Sequence, residues 1–477
     1  MLWILLGLVA GFLAVILVRA ALFAPKPAPK SDLPVSEFDT DEALGALAQL
    51  VRCKTVSHYD KNEEDDAEFE KLIALLPVLY PNVMRECSLD RLPDRALLIR
   101  WRGKDEGKDP AVMMSHYDVV PVNEDAWEKP PFEGIIEDGV LWGRGTLDTK
   151  ATMNGALFAA NTLIAEGFVP ERDVYFAFSG GEEVNGRGAS NIVDYFEANH
   201  LTPHIVLDEG GAVVEGVFPG VKAPCGLIGI AEKGMMNVRF EVTSGGGHAS
   251  APAPVTSIGR LSKACCNMEK HPFPMHLTMP AAEMFDTLGR HSGFALKIIF
   301  ANMKLFGGAI GLLGRLTGGE INALVRTTVA FTQMQGSTAP NVMPPAASMV
   351  ANLRLNPKET VEKAKARIEK TVGDPKVSLT VMESEEPSRI SRIDCEGYDM
   401  VASAVASTWQ GAIVSPYLMV QCSDSRHWGR ISDRVYRFSA MDMTSEERRT
   451  VHGNNEHIRA AAVKKSVEFY LRLLSQC

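Results

Sequence analysis

Near-continuous apolar runs at residues 96–102, 111–117, 173–179 and 204–208 alternate with helical patterns at 149–166 and 186–199. Runs of this kind predict strands buried on both faces, and such strands need helices above and below them. The expected fold class is therefore α/β, a mixed and mainly parallel sheet between helical layers. In such sheets ligands gather at the carboxyl ends of the strands, so chemistry is expected just past each run.

A chain of 477 residues is long enough for two domains, and the pattern changes at about 229. Met236–Thr243, Ser348–Leu355 and Val377–Val381 alternate polar with apolar residues, as half-buried antiparallel strands do. A helix near 254–269, a strand near 327–334 and a helix from Lys358 to Val372, stopped by Gly373, complete the order β-α-β-β-α-β. That is a ferredoxin-like α+β lid inserted in the first domain. The expected division is a membrane anchor or signal at 1–24, a linker at 25–38, catalytic parts at 39–228 and 395–477, and the lid at 229–394. An apolar, glycine-rich segment at 279–326 interrupts the lid. It is either a helical hairpin packed on the core or an apolar wall for a lipid-like substrate or a membrane.

Leu2 to Val18 are apolar apart from glycine, near the minimum length of a spanning helix. With no basic residue ahead of the run, the expectation is a single N-terminal anchor, or a secreted protein if the segment is cleaved. Arg19, Lys26 and Lys30 follow it and favour a cytoplasmic body, without settling the side. The prolines of 24–34 make a stiff tether, and Asp39 is placed to cap the helix that opens the folded body. A net charge of -10 speaks against a nucleic-acid partner. The eight cysteines have no zinc-ligand spacing.

The residues past the strands carry the function. His116 and Asp118 lie two apart on a strand and face one side, and a carboxylate behind a ligating histidine fixes its tautomer. Asp148 follows Gly143 and Gly145; Glu182 and Glu183 follow Gly180 and Gly181; Asp208 and Glu209 end the next run; His452 comes late. Mixed nitrogen and oxygen donors suit zinc, with cobalt or manganese as substitutes. Three carboxylates and a bridging hydroxide would balance two zinc ions, which favours a dinuclear site.

These motifs, in this order, resemble the M20 family of metallopeptidases and amidohydrolases from about residue 40 to the end. The resemblance is closest to the branch that contains carboxypeptidase S and the N-acyl amino acid hydrolases. It implies two Zn2+ ions: His116, Asp148 and Asp208 hold one, and Asp148, Glu183 and His452 the other, with Glu209 in reserve for Asp208. It makes Glu182 the general base that activates a water and Asp118 the acid behind His116. His248, in Gly245-Gly246-Gly247-His248, would steady the oxyanion, often across a dimer interface. Asn341 and Arg426 match positions that read a substrate carboxylate. Gly181 departs from the acid found in many relatives, and 279–326 is absent from short-lid members. The implied function is zinc-dependent hydrolysis of amide bonds in N-acyl, including N-fatty-acyl, amino acids. The alternative is a carboxypeptidase or dipeptidase acting on short peptides with a free C-terminus. Partners would be such a small molecule or peptide, the membrane through the N-terminal segment, and a second copy through the lid.

Overall fold

The computed structural model describes residues 1–477, apart from the side chains of Leu313 and Thr317. Its main sheet has eight strands in the spatial order Ser88–Leu92, Ala96–Trp101, Val174–Ser179, Ala111–His116, Ile205–Val214, Val435–Met443, Cys225–Glu232, Ile413–Met419. The central strands Val174–Ser179, Ala111–His116, Ile205–Val214 and Val435–Met443 run parallel, so their carboxyl ends meet on one edge. The first two strands are antiparallel to their neighbours, which makes the sheet mixed.

Helices cover both faces. Thr40–Val51, Lys150–Ala165 and Ala460–Leu474 share one large core with the sheet, and Gly188–Ala198 packs on the opposite face with Trp428. Ala460–Leu474 is amphipathic, with Val463, Val467, Tyr470 and Leu474 turned inward. It approaches Lys150–Ala165 so closely that a Cβ on Gly155 would sit 2.4 Å from Ser466 Oγ. Asp39 caps Thr40–Val51, accepting from the N–H groups of Asp41 and Glu42 at 2.8 and 3.2 Å.

A second sheet, in the order Thr328–Gln335, Ala346–Leu355, Gly234–Thr243, Ser378–Glu385, is wholly antiparallel. The helices Ser257–Lys270 and Val361–Val372 pack on it around Val238, Phe240, Leu261 and Ile368, a core separate from that of the main sheet. Its first strand starts at Gly234, later than the change of texture at 229 suggests. Cys225–Glu232 stays in the main sheet because it pairs in parallel with Ile413–Met419.

The segment 279–326 forms four helices, Met279–Gly289, Phe294–Phe300, Met303–Thr317 and Gly319–Val325. They leave the lid and rest on the edge of the main sheet. Ala281, Met284, Phe285 and Leu288 share a core with Phe218, Leu227, Ile413 and Leu418. The N-terminal apolar run is one helix, Leu2–Ala21, three residues longer than its apolar pattern. It stands clear of the body except at its last turns.

Candidate metal centre

Strand Ala111–His116 delivers His116 at the carboxyl edge, fully buried among the ends of its neighbours. Its Nδ1 donates to the backbone carbonyl of Asp118 at 3.0 Å, which leaves Nε2 as the free electron pair. Nε2 lies 2.9 Å from Asp148 Oδ1 and 3.3 Å from Glu209 Oε1. The other oxygen of Asp148, Oδ2, lies 3.0 Å from His452 Nε2, and Glu183 Oε2 lies 3.1 Å from the same nitrogen. Asp148 therefore stands between two groups of donors, one oxygen turned to each.

The local chain explains each placement. Asp148 closes a turn that Gly143 and Gly145 permit, with φ of 156° and 89°; a Cβ on Gly145 would meet Val119 at 2.9 Å. Glu182 and Glu183 sit in a short 3-10 turn straight after strand Val174–Ser179. Asp118 orders that turn: its Oδ1 accepts from the N–H of Glu182 at 3.1 Å, and its Oδ2 from that of Glu183 at 3.2 Å. Ser57 Oγ also donates to Asp118 Oδ2 at 2.6 Å. The expected carboxylate behind His116 is thus 3.5 Å from the imidazole, and the backbone carbonyl takes the hydrogen bond in its place.

Of the Asp208–Glu209 pair, the second acid and not the expected Asp208 lies against His116. Asp208 Oδ2 accepts from the backbone N–H of Ser425 at 2.9 Å, while Glu209 turns to His116. Neighbours along a strand point to opposite faces, so both carboxylates cannot reach the same cluster. Among the described residues, His116, Asp148 and Glu183 form one group of closely spaced donor atoms, and His116, Glu182 and Glu209 another.

This donor set fits metal ions. Burial, and then the charge of Asp148, pushes Glu209 up to about 8; burial and Asp424 push Asp208 up to about 6. Glu182 and Glu183 are raised by burial and by the acids beside them. Hydrogen bonds to the carboxylates of Asp148 and Glu183 lift His452 to about 10. Anions this close in a buried site need protons or cations to offset their repulsion, and two imidazoles among carboxylates are a donor set for a divalent transition metal.

Glu456, which the motif reading passed over, holds the centre together. It is fully buried, and its Oε1 accepts from Leu147 N at 2.7 Å and Asp148 N at 3.2 Å. Its Oε2 accepts from Gly145 N at 3.1 Å and Arg144 Nη1 at 2.6 Å. One carboxylate thereby ties the His452 loop to the Asp148 turn. Its spacing of four from His452 was visible in the sequence, but an isolated acid in a glycine- and asparagine-rich loop has no signature.

Arg426 borders the cluster, its Nη2 donating to Asn185 Oδ1 at 3.1 Å and its Nη1 to Ser423 O at 3.2 Å. His248 and Asn341 come together elsewhere, at an exposed two-stranded tip where Ala249 N donates to Asn341 O at 3.0 Å. Neither has a hydrogen bond or ion pair to the donor cluster among the described residues of this chain. A cavity of about 420 Å3 opens from Asp148, Glu182, Glu209 and His452. It continues between Ala212, Val214, Leu227, Tyr417, Met419 and Val420, and Glu320 of the inserted segment also lines it.

The model of Peptidase family M20/M25/M40 matches residues 112–476. Probable carboxypeptidase S-like 2 of Dictyostelium discoideum is 30% identical over 481 residues, covering 98% of this chain and 92% of its own. The N-fatty-acyl-amino acid synthase/hydrolase PM20D1 of Xenopus tropicalis is 33% identical over 445 residues, covering 92% of this chain and 86% of its own. Human carnosine dipeptidase 1 shares the fold at a TM-score of 0.66 and 14% identity, over 92% of this chain and 96% of its own. The M20 family metallo-carboxypeptidase Sso-CP2 of Sulfolobus solfataricus does so at 0.66 and 19%, over 91% and 99%.

Proposed function

The chain belongs to Peptidase family M20/M25/M40 and is a hydrolase of that family, and from this premise we propose that it cleaves the amide bond of N-acyl, including N-fatty-acyl, amino acids. The observation that carries the reading is the cavity of about 420 Å3 that leads from the donor cluster between Val214, Leu227, Tyr417 and Val420. Apolar side chains of that kind suit an acyl chain, with Glu320, Gln421 and Arg448 among the polar groups of the lining. The name of the Xenopus tropicalis relative, an N-fatty-acyl-amino acid synthase/hydrolase, supports the same substrate class.

Two zinc ions, one held by His116, Asp148 and Glu209 and one by Asp148, Glu183 and His452, would supply Lewis-acid polarisation of the amide carbonyl and of water. Glu209 replaces Asp208 in this assignment. Glu182 is the general base: its carboxylate takes a proton from the attacking water and returns it to the leaving amine nitrogen. The raised proton affinity of Glu182 suits a group that must hold that proton between the two transfers. Asp118 positions Glu182 through the backbone of the turn. Arg426 offers a guanidinium fork to the free carboxylate of the amino acid. His248 and Asn341, carried on the lid of this chain, would serve the site of a second copy. The helix Leu2–Ala21 would anchor the protein in a membrane.

The test is a mass-spectrometric hydrolysis panel on the full chain in nanodiscs, comparing N-oleoyl amino acids, N-acetyl amino acids and dipeptides. Glu182→Gln is expected to lower kcat by about 10^2-fold or more while retaining metal. Turnover dominated by dipeptides would assign a peptidase and sink the acyl reading.

A further inference from the structure

The helix Met303–Thr317 presents its residues the wrong way round for a protein surrounded by water. Leu305, Leu312 and Leu316 are 51, 57 and 75% exposed. Spacings of seven and four place them on one stripe. The inward face carries glycine: a Cβ on Gly311 would stand 2.4 Å from Met275 Sδ, and one on Gly314 3.3 Å from the Asn322 Cα. Lys304 and Arg315 are exposed near the two ends of the stripe.

The same segment grips the foot of the N-terminal helix. Ile16, Ala20 and Phe23 are buried, while nearly all of Leu2–Val15 is bare. Asn302 Nδ2 donates to Ile16 O at 3.3 Å, and Arg290 Nη1 donates to Ala24 O at 2.9 Å. The Arg290 guanidinium lies 4.3 Å from the centre of the Phe23 ring, and Lys26 pairs with Asp286 at 2.8 Å. Phe294, which opens the short helix Phe294–Phe300 beside this clasp, is 54% exposed.

We infer that Met303–Thr317 lies in the headgroup layer of a phospholipid bilayer at the foot of the Leu2–Ala21 span, its leucine stripe turned to the acyl chains. The inference rests on the reading of Leu2–Ala21 as a membrane helix and deepens it. An outward apolar stripe on the segment that clasps the foot of a spanning helix, flanked by a lysine and an arginine, has the chemistry of an interfacial helix over lipid phosphates. A second copy is the poorer occupant, because the projecting apolar helix beside the stripe would have to be accommodated as well. Glu320, four residues beyond Leu316, lines the active-site cavity, so the inserted segment touches both the lipid and the cavity in this orientation. An N-fatty-acyl substrate would then enter from the lipid.

The experiment reconstitutes the full chain in nanodiscs of phosphatidylcholine and phosphatidylglycerol containing a phospholipid with a diazirine near the top of one acyl chain. Photolabelled residues are mapped by mass spectrometry. Labels are expected on Leu305, Leu312 and Leu316 as well as within 2–21. The triple substitution L305S/L312S/L316S should reduce labelling of 303–317 severalfold, with labelling of 2–21 and N-acetyl amino acid hydrolysis unchanged. Labels confined to 2–21 would overturn the inference and leave the anchor standing; labels on neither would overturn both. Lys304-to-Lys304 cross-links between copies in place of lipid labels would assign the stripe to a dimer and also overturn it.

Discussion

Asp208 and Glu209 are one position apart, and that single step decides which carboxylate reaches His116. The strand Ile205–Val214 shifts register against Val435–Met443 between Asp208 and Gly211, so the face each residue shows depends on where the ladder slips. Sequence located the pair without fixing its direction, because both acids are polar and nothing in the hydropathy distinguishes them. Glu209→Gln is expected to lose metal after gel filtration, with Asp208→Asn keeping more of it, as read by inductively coupled plasma mass spectrometry. The reverse order would return the ligand to Asp208. Glu456 makes the complementary case. Its replacement by glutamine keeps the shape but leaves the buried Arg144 charge without a counter-ion, which costs about 3 kcal/mol or more. A denaturant midpoint unchanged from that of the wild type would remove Glu456 from the framework of the site.

Among the elements, the junction between the sheets is the least legible from sequence. Lys233 sits in it, buried, with Nζ donating to Ala323 O at 3.0 Å and Arg326 O at 2.9 Å. It thereby ties the end of the inserted helices to the start of the lid. Desolvation, with the charge of Arg354 adding to it, pulls the Lys233 ammonium down to about 7. Its folded pKa is below its unfolded one, so the folded chain binds fewer protons between about 7 and about 10.4, and stability gains with rising pH there. Below about 7 the burial penalty is present in full. The stability of wild type relative to Lys233→Met should therefore grow between pH 7.5 and pH 9.5 in parallel thermal melts. A difference that stays constant with pH would show that the lysine keeps its charge throughout. The main strands and their helices were readable because their apolar periods are long. The packing of 279–326 on the sheet edge was not, since an apolar helix looks the same whether it meets a lid, a sheet or a lipid.

For the whole molecule, the donor cluster links five separate stretches of chain, from His116 to His452: those of His116, Glu182–Glu183 and Glu209 belong to the main sheet, while Asp148 and His452 adjoin a small three-stranded sheet of Val140–Trp142, Ile135–Glu137 and His457–Arg459. Metal bound only by the folded state adds to stability by mass action, about 2.7 kcal/mol at a free concentration a hundred times Kd. A chelator is expected to lower the melting midpoint of the full chain, and added zinc to restore it; a midpoint indifferent to both would argue against a cluster that holds metal in the resting protein. The convergence of the His116, Glu182–Glu183 and Glu209 stretches is legible in the sequence, because parallel strands bring their ends together however far apart they lie in the chain; that of Asp148 and His452 is not, since they adjoin a separate antiparallel sheet.

The grip of Arg290, Asn302 and Asp286 on residues 16–26 carries a consequence for how the protein can be shed. Cutting the chain near residue 22 would remove the Ile16 carbonyl that accepts from Asn302, leave Ala24 at a free end under Arg290, and bare the surface beneath Ile16 and Ala20. A chain cut there would differ from the full one in the surface of the inserted helices around Arg290 and Asn302. Loss of the N-terminal helix would then be felt in the packing of the inserted segment, beyond the residues removed.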